Sequence, residues 1–169
     1  PDFQVAPVRG TVQTRLRKLE DEGFDAVILA VAGLERLGLH GEIGEKIPLD
    51  IALPAPGQGA LAVQAREDDP ELLAALRHIE HRETRAATDT ERAVPAALGG
   101  GCYVPIGAYA EVKGERLVVT GVVVSHDGSR AVRDSVEGDV ADGAALGQAL
   151  GQRLQEQGAQ SLLEDYEPR

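Results

Sequence analysis

The chain has 169 residues, of which 43% are hydrophobic and 27% charged, the balance of a folded globular protein. Its net charge of -11 argues against a nucleic-acid partner, because phosphate binding requires a concentrated basic surface. The sequence has no apolar run as long as a membrane span and no basic-then-apolar leader, so we expect a cytoplasmic protein that contacts no membrane.

The first third of the sequence alternates apolar runs with helical patterns. In chain order we predict a strand over 3–8, a helix over 12–22, a strand over 24–32 and a short helix over 34–39. Thr11 is a suitable N-cap for the first helix, and Gly23 is placed to end it. The nearly continuous apolar run of the second strand is typical of a parallel strand covered on both faces. The order strand, helix, strand predicts an α/β fold.

The middle of the sequence predicts a crossover followed by helices. In chain order we expect a Pro- and Gly-rich linker over 48–59, a strand over 60–66, a helix from Pro70 to about residue 80 and a helix over 82–98. Asp69 and Pro70 supply the N-cap and first-turn proline of the first of these helices. Pro95 should end or kink the second.

The last third predicts a small α+β domain. Its expected elements are strands over 106–112, 116–125 and 130–136, followed by a helix over 142–157. The strands are joined by Lys113-Gly114 and by Asp127-Gly128. Such tight turns indicate an antiparallel meander.

Arginines gather around the predicted start of the first helix. Arg9 ends the first strand, Gly10 allows the turn, and free N–H groups at a helix start favour an anion. Arg15 lies about one turn into the helix, and Arg36 follows the next strand, where ligands of parallel sheets bind. The guanidinium fork suits carboxylates. Spacing alone also fits ordinary surface arginines, as we expect for Arg17, so both interpretations stay open.

The lone cysteine of the chain follows three glycines, at 99–101. A loop of this kind exposes backbone N–H groups and lets a bulky group approach the sulfur. Cys102 therefore suits a nucleophilic or covalently modified residue, although a buried structural cysteine fits equally well. One cysteine excludes an internal disulfide, and none of the four histidines has ligand spacing with it, so we predict no metal site.

Five stretches of the sequence carry distinctive combinations of residues. They are VRGTVQTRL (8–16), FDAVILAVAGLERLGL (24–39), LPAPGQGALAVQAR (53–66), TERA (90–93) and GGGCYVPIGAYAEV (99–112). Together they resemble the porphobilinogen deaminase family, in order along almost the whole chain, and the glycine–cysteine stretch is the most specific. Two departures stand out: Gly99 replaces the Glu of many members, and Pro95 interrupts a segment that is usually helix.

The resemblance implies a transferase, hydroxymethylbilane synthase, that joins four porphobilinogen molecules head to tail and releases ammonia at each step. Its primer is a dipyrromethane cofactor held by a thioether, and the attachment residue maps onto Cys102. The implied cofactor-binding residues are Arg9, Gly10, Thr11 and Arg15, and the implied substrate-binding residues are Arg36 and Gln58. The catalytic aspartate is expected in an N-terminal half outside this chain, so we expect the chain alone to be inactive.

The same resemblance implies a division into three domains. Residues 1–54 would end a periplasmic-binding-protein-like α/β domain 2, residues 55–78 would return to domain 1, and residues 79–169 would form the cofactor-attachment domain 3, with a three-stranded antiparallel sheet and helices. The full-length protein is expected to be a monomer. Two other functions remain open: a carboxylate-binding module without catalysis, and a structural domain that docks on a separately encoded N-terminal half.

Overall fold

The computed structural model describes residues 3–99 and 105–164. Its internal contacts divide the chain into two compact units, Pro1–Pro48 and Leu49–Arg169. In the described part of the first unit the helices are α1 (Val12–Asp21) and α2 (Val31–Arg36), followed by a 3-10 turn at His40–Glu42.

The second unit contains a sheet and the remaining helices. Its elements are, in chain order, α3 (Pro70–Leu76), α4 (Arg82–Ala97), β1 (Ile106–Lys113), β2 (Arg116–Val124), β3 (Ala131–Asp139), α5 (Gly143–Glu156) and α6 (Ala159–Glu164). Short 3-10 turns at Arg77–Ile79 and Val140–Asp142 follow α3 and precede α5. None of the described helices is long and apolar enough to cross a membrane.

The three strands form one antiparallel sheet in the order β1-β2-β3, which confirms the predicted meander. The two connections contain Gly114 and Gly128, whose φ angles of 66° and 71° suit glycine. Burial alternates along β2, so that Leu117, Val119 and Val123 are completely buried while their neighbours are more exposed. The sheet therefore has one face on the core, as its alternating pattern requires.

Helices α4 and α5 cover the buried face of this sheet. Val94 on α4 and Leu150 and Leu154 on α5 are completely buried. Gly121 in β2 lets α5 approach closely, since a Cβ there would lie 3.1 Å from Leu154 Cδ1. The core is built from Ala, Val, Leu and Ile because the chain has no Trp and no Met. Helix α6, which the sequence pattern did not predict, adds buried side chains to the same cluster.

Close packing of α5 against α4 depends on three glycines of α5: Gly143, Gly147 and Gly151 are spaced four residues apart and buried. A Cβ on Gly147 would overlap the carbonyl oxygen of Thr90 and would lie 2.7 Å from the Cβ of Ala93. Because real Cβ atoms do not approach backbone so closely, no larger side chain fits between the two helices at this point.

Helix α4 confirms the helix predicted over 82–98, and Pro95, which was expected to end or kink it, does not end it. It continues to Ala97, with Pro95 inside its last turn. Proline lacks an N–H, so it removes a single hydrogen bond to the carbonyl four residues earlier. Near a helix end this loss affects few further turns, and the amide of Leu98 still bonds to the Val94 carbonyl at 3.2 Å.

The strands predicted over 3–8, 24–32 and 60–66 are not formed, and α2 begins at Val31, earlier than the predicted 34–39 helix. Residues 3–99 contain no strand, so these segments have no described neighbour to accept their backbone hydrogen bonds. Their apolar side chains are correspondingly exposed: Val5 by 96%, Ile28 by 80% and Val63 by 63%. The predicted βαβ unit is therefore absent from the described part of this chain.

Replacing Gly147 with Ala is expected to destabilise the second unit by about 1–3 kcal/mol, because the added methyl group would overlap the backbone of α4. The midpoint of urea unfolding measures the effect. Gln148→Ala changes an exposed neighbour on the same helix and should alter the stability by no more than about 0.5 kcal/mol. Equal midpoints for the two variants would contradict the packing described here.

Candidate functional site

The start of α1 is organised by Thr11, as the sequence predicts. Its Oγ1 accepts a hydrogen bond from the Thr14 amide at 3.2 Å and lies 3.0 Å from Thr14 Oγ1. This cap satisfies one of the first N–H groups of the helix and leaves those of Val12 and Gln13 without an intrahelical partner. The first turn carries no acidic side chain. The helix start is therefore positively polarised.

Gly10 and Arg15 fix the turn that leads into α1. Gly10 has a φ of 126°, and a Cβ there would lie 2.7 Å from Thr14 Cγ2. Only glycine fits this conformation without strain. The Arg15 Nε donates to the Gly10 carbonyl at 2.9 Å, so part of this guanidinium is committed to the backbone. Its terminal nitrogens make no hydrogen bond to the described residues.

Arg9 and Arg36 are exposed, and neither makes a hydrogen bond or ion pair with the described part of the chain. Glu35, the acidic neighbour of Arg36, is paired instead with Lys46 Nζ at 2.8 Å. The hydrogen bond from Lys46 holds the pKa of Glu35 below its usual value. Arg36 thus has no carboxylate partner among the described residues.

The two helices of the first unit meet near these arginines. A Cβ on Gly33 would lie 3.6 Å from Val12 Cγ2, an ordinary contact distance. Gly33 is about one turn before Arg36, and Val12 is the first residue of α1. The structure thus brings the start of α1 beside α2, although no hydrogen bond links Arg36 to Arg9 or Arg15.

Cys102 lies outside the described residues, and with it the predicted attachment loop. In the chain it falls between Gly99, which follows α4 with a φ of 66°, and Pro105, which precedes β1. Within 3–99 and 105–164 no group of three or more His, Cys, Asp or Glu side chains is placed to hold a metal ion.

Gln58 stands exposed in a turn over residues 56–59. The backbone N–H of Gln58 donates to the Ala55 carbonyl at 3.3 Å, and the preceding residue, Gly57, has a φ of 76°. The Gly57 amide donates to Glu91 Oε2 at 2.8 Å. The turn that presents Gln58 is therefore attached to α4 by one carboxylate.

Residues 49–57, here called the crossover segment, are attached to the sheet at further points. The Arg133 guanidinium donates to the carbonyls of Leu49 and Asp50, at 2.8 and 3.0 Å. The Ala108 amide donates to the Pro54 carbonyl at 3.0 Å. These bonds hold an irregular segment, which has no strand or helix of its own, against β1 and β3 of the second unit.

Two residues of this arrangement were not predicted, Glu91 and Arg133. The sequence contains a pattern that could have identified Glu91 as buried. It lies three residues after Thr88 and three before Val94, and the three residues share the buried face of α4. A charged residue on a buried helix face needs partners. Arg133 gives no such signal, since its acceptors are backbone carbonyls 83 and 84 residues away in the sequence.

Comparison with known proteins gives two matching family models. They are "Porphobilinogen deaminase, dipyromethane cofactor binding domain" over residues 1–74 and "Porphobilinogen deaminase, C-terminal domain" over residues 86–156. A porphobilinogen deaminase of Desulforamulus reducens is 47% identical over 165 residues, which cover 98% of this chain and 53% of that protein. A porphobilinogen deaminase of Desulforudis audaxviator is 50% identical over 163 residues, covering 96% and 53%. The chain spans about half the length of the curated relatives it matches.

Arg133→Gln is expected to speed thermolysin cleavage before Leu49 and Ile51 roughly tenfold, because charge-assisted hydrogen bonds to the crossover segment are lost. Mass spectrometry of the fragments over time measures the rate. Arg82→Gln, at the exposed start of α4, is the control and should cleave like the unchanged chain. An unchanged rate in Arg133→Gln would show that these bonds do not restrain the segment.

Proposed function

The chain belongs to the porphobilinogen deaminase family, and we propose that it supplies the cofactor-carrying part of a hydroxymethylbilane synthase. This transferase condenses four porphobilinogen molecules head to tail with release of ammonia, on a dipyrromethane primer, in tetrapyrrole and haem biosynthesis. Porphobilinogen is its small-molecule substrate, and the enzyme acts as a monomer in the cytoplasm. Residues 1–74 match the cofactor-binding domain model, which supports this cofactor.

The observation that carries the proposal is the presence of uncompensated arginines in an acidic chain. The net charge is -11, yet Arg9 and Arg36 have no anionic partner in the described part of the chain. Each pyrrole of the cofactor and of the growing product carries two carboxylates. A guanidinium without a partner binds such a group bidentately. Such arginines bind the carboxylates of a small ligand individually, whatever the overall charge of the chain.

Each predicted site residue has a proposed role. Arg9 and Arg15 bind cofactor carboxylates, with help from the backbone at Gly10 and from Thr11. The N–H groups at the start of α1 add a further anion-binding element there. Arg36 and Gln58 bind the carboxylates of porphobilinogen and of the growing chain, while Cys102 carries the cofactor through a thioether.

The proposed domain assignment follows the family. Residues 1–54 end domain 2, a periplasmic-binding-protein-like α/β domain, residues 55–78 return to domain 1, and residues 79–169 form domain 3. Exposed apolar residues in the segments that were predicted as strands, such as Val5, Ile28 and Val63, support strands that pair with chain outside these residues. In this proposal the aspartate that assists ring protonation and ammonia loss lies outside this chain, which covers 53% of the relative from Desulforamulus reducens. The chain alone is accordingly inactive with porphobilinogen.

The attachment of the cofactor is tested by intact mass. We expect the chain, extended at its N-terminus to the length of its relatives, to exceed its sequence mass by two pyrrole units. Cys102→Ser should abolish this adduct. A freely alkylated Cys102 in the extended protein would overturn the proposed function. A carboxylate-binding module without catalysis would instead carry no adduct, and its ligand affinity would be the same with Ser at this position.

The role of Arg36 is tested by steady-state kinetics of the extended protein. Arg36→Gln is expected to raise KM for porphobilinogen at least roughly tenfold, since a charge-assisted hydrogen bond to a carboxylate is lost. Arg17→Gln removes an exposed arginine of α1 to which no role is assigned, and it should leave KM unchanged. Equal KM values for the two variants would exclude Arg36 as a substrate ligand.

A further inference from the structure

Glu91 is a charged residue in the core of the second unit. Only 4% of it is exposed, and it shares the buried face of α4 with Thr88 and Val94. Its carboxylate uses both oxygens: Oε1 accepts from the Ala110 amide at 2.9 Å, and Oε2 accepts from the Gly57 amide at 2.8 Å. A buried carboxylate is costly unless it is hydrogen-bonded in this way. It therefore ties three parts of the chain together: α4, β1 and the crossover segment.

One of the two amides that Glu91 accepts from, that of Ala110, lies at the free edge of the sheet. Strand β1 is an edge strand, so alternate N–H groups point away from β2. One of them, on Ala108, is covered by the Pro54 carbonyl, and the next, on Ala110, is covered by Glu91. Gly107 lies between them, and a Cβ there would be 3.0 Å from Leu53 Cβ. The crossover segment thus lies against the edge, and Glu91 covers the next outward amide after the one that the segment itself covers.

The geometry points to Glu91 as a positioning residue for the turn that presents Gln58. The Glu91 carboxylate accepts a hydrogen bond from the Gly57 amide and so fixes the position of Gly57 against α4. The position of Gln58, the next residue, is fixed in turn. Gly57 also packs against Arg92, the residue that follows Glu91 in α4. A Cβ on Gly57 would lie 3.3 Å from Arg92 Nε. The inference rests on the proposed role of Gln58 in substrate binding. Glu91 itself acts through Gly57 and does not touch the substrate.

Only a carboxylate satisfies both amides at once. A glutamine offers one oxygen acceptor and one NH₂ donor, so one of the two N–H groups would face another donor. The Ala110 contact is fully buried, whereas the Gly57 contact is only partly buried. The remaining oxygen is therefore expected to stay on Ala110, and the turn at Gly57 is released because water can reach it. Glu91→Gln is therefore expected to loosen the turn at Gly57 while leaving the rest of the domain unchanged.

Amide hydrogen exchange of the chain, read residue by residue by NMR, tests this directly. In Glu91→Gln the Gly57 amide should exchange roughly tenfold faster or more, while the Ala108 amide keeps its protection. Glu83→Gln makes the same exchange of side chains on the exposed face of α4 and should change neither amide. Unchanged exchange at Gly57, or equal loss of protection at Gly57 and Ala108, would overturn the inference.

The consequence for binding is tested in the extended protein. Glu91→Gln should raise KM for porphobilinogen several-fold without changing the cofactor content measured by intact mass. Leu146→Ala lowers the thermal midpoint of the same unit from a position on α5, and it should leave KM unchanged. A KM that does not move in Glu91→Gln, or moves equally in Leu146→Ala, would reduce Glu91 to a structural residue and overturn the inference.

Two further outcomes are distinguished by this design. If the unchanged extended protein neither carries the adduct nor turns over porphobilinogen, the proposed function fails, whereas the exchange experiment still decides whether Glu91 holds the turn. If Glu91→Gln does not fold, Glu91→Asp keeps both oxygens one methylene further back. It should then speed exchange at Gly57 less than a complete loss of the bond would, and unchanged exchange there would again overturn the inference.

Discussion

The free edge of β1 is the constraint on which the second unit depends. An edge strand presents unpaired N–H and C=O groups that would otherwise recruit another chain. Here the outward amides of Ala108 and Ala110 are taken by the Pro54 carbonyl and by the Glu91 carboxylate. The irregular segment can lie so close because Gly107 has no side chain to hold it off. Two outward amides of the edge strand are satisfied in this way without a further strand, and the same contacts fix the course of the chain toward Gln58.

The same requirement explains where the structure departs from the expected α/β fold. A parallel strand is stable only when a neighbour accepts its backbone hydrogen bonds and helices cover its faces. Residues 24–30 and 61–66 form neither helix nor strand, and they have no such neighbour in the described chain. Their apolar side chains, such as Ile28 and Val63, are exposed in consequence. The strands predicted for these segments are therefore not confirmed, and no neighbouring strand of the described chain is present to pair with them.

Features that depend on local signals were predictable from the sequence, while those that depend on distant contacts were not. The cap at Thr11, the helices α1, α3, α4 and α5, and the meander all follow from periodicity and turn residues, and the structure contains them. Helix α6 has only six residues, which is too short a segment to show a helical period in the sequence. The hydrogen bonds that anchor the crossover segment join residues from 34 to 84 positions apart. No pattern within a window of sequence contains that information. The assignments of Arg36, Gln58 and Cys102 came from family resemblance and stay predictions.

Net charge alone would mislead about what this chain binds, because pairing between charges is local. Several arginines are neutralised by carboxylates, as Arg116 is by Glu137 and Arg153 by Asp134. Near α2, Glu35 is paired with Lys46, while Arg36 has no carboxylate partner in the described part of the chain. An acidic surface repels a polyanion over long distances, but salt screens that repulsion beyond about 10 Å. Contacts at a few ångströms then depend on which cations are left without a partner. The total of -11 argues against a long phosphate backbone, yet it is compatible with a small ligand whose carboxylates reach individual arginines.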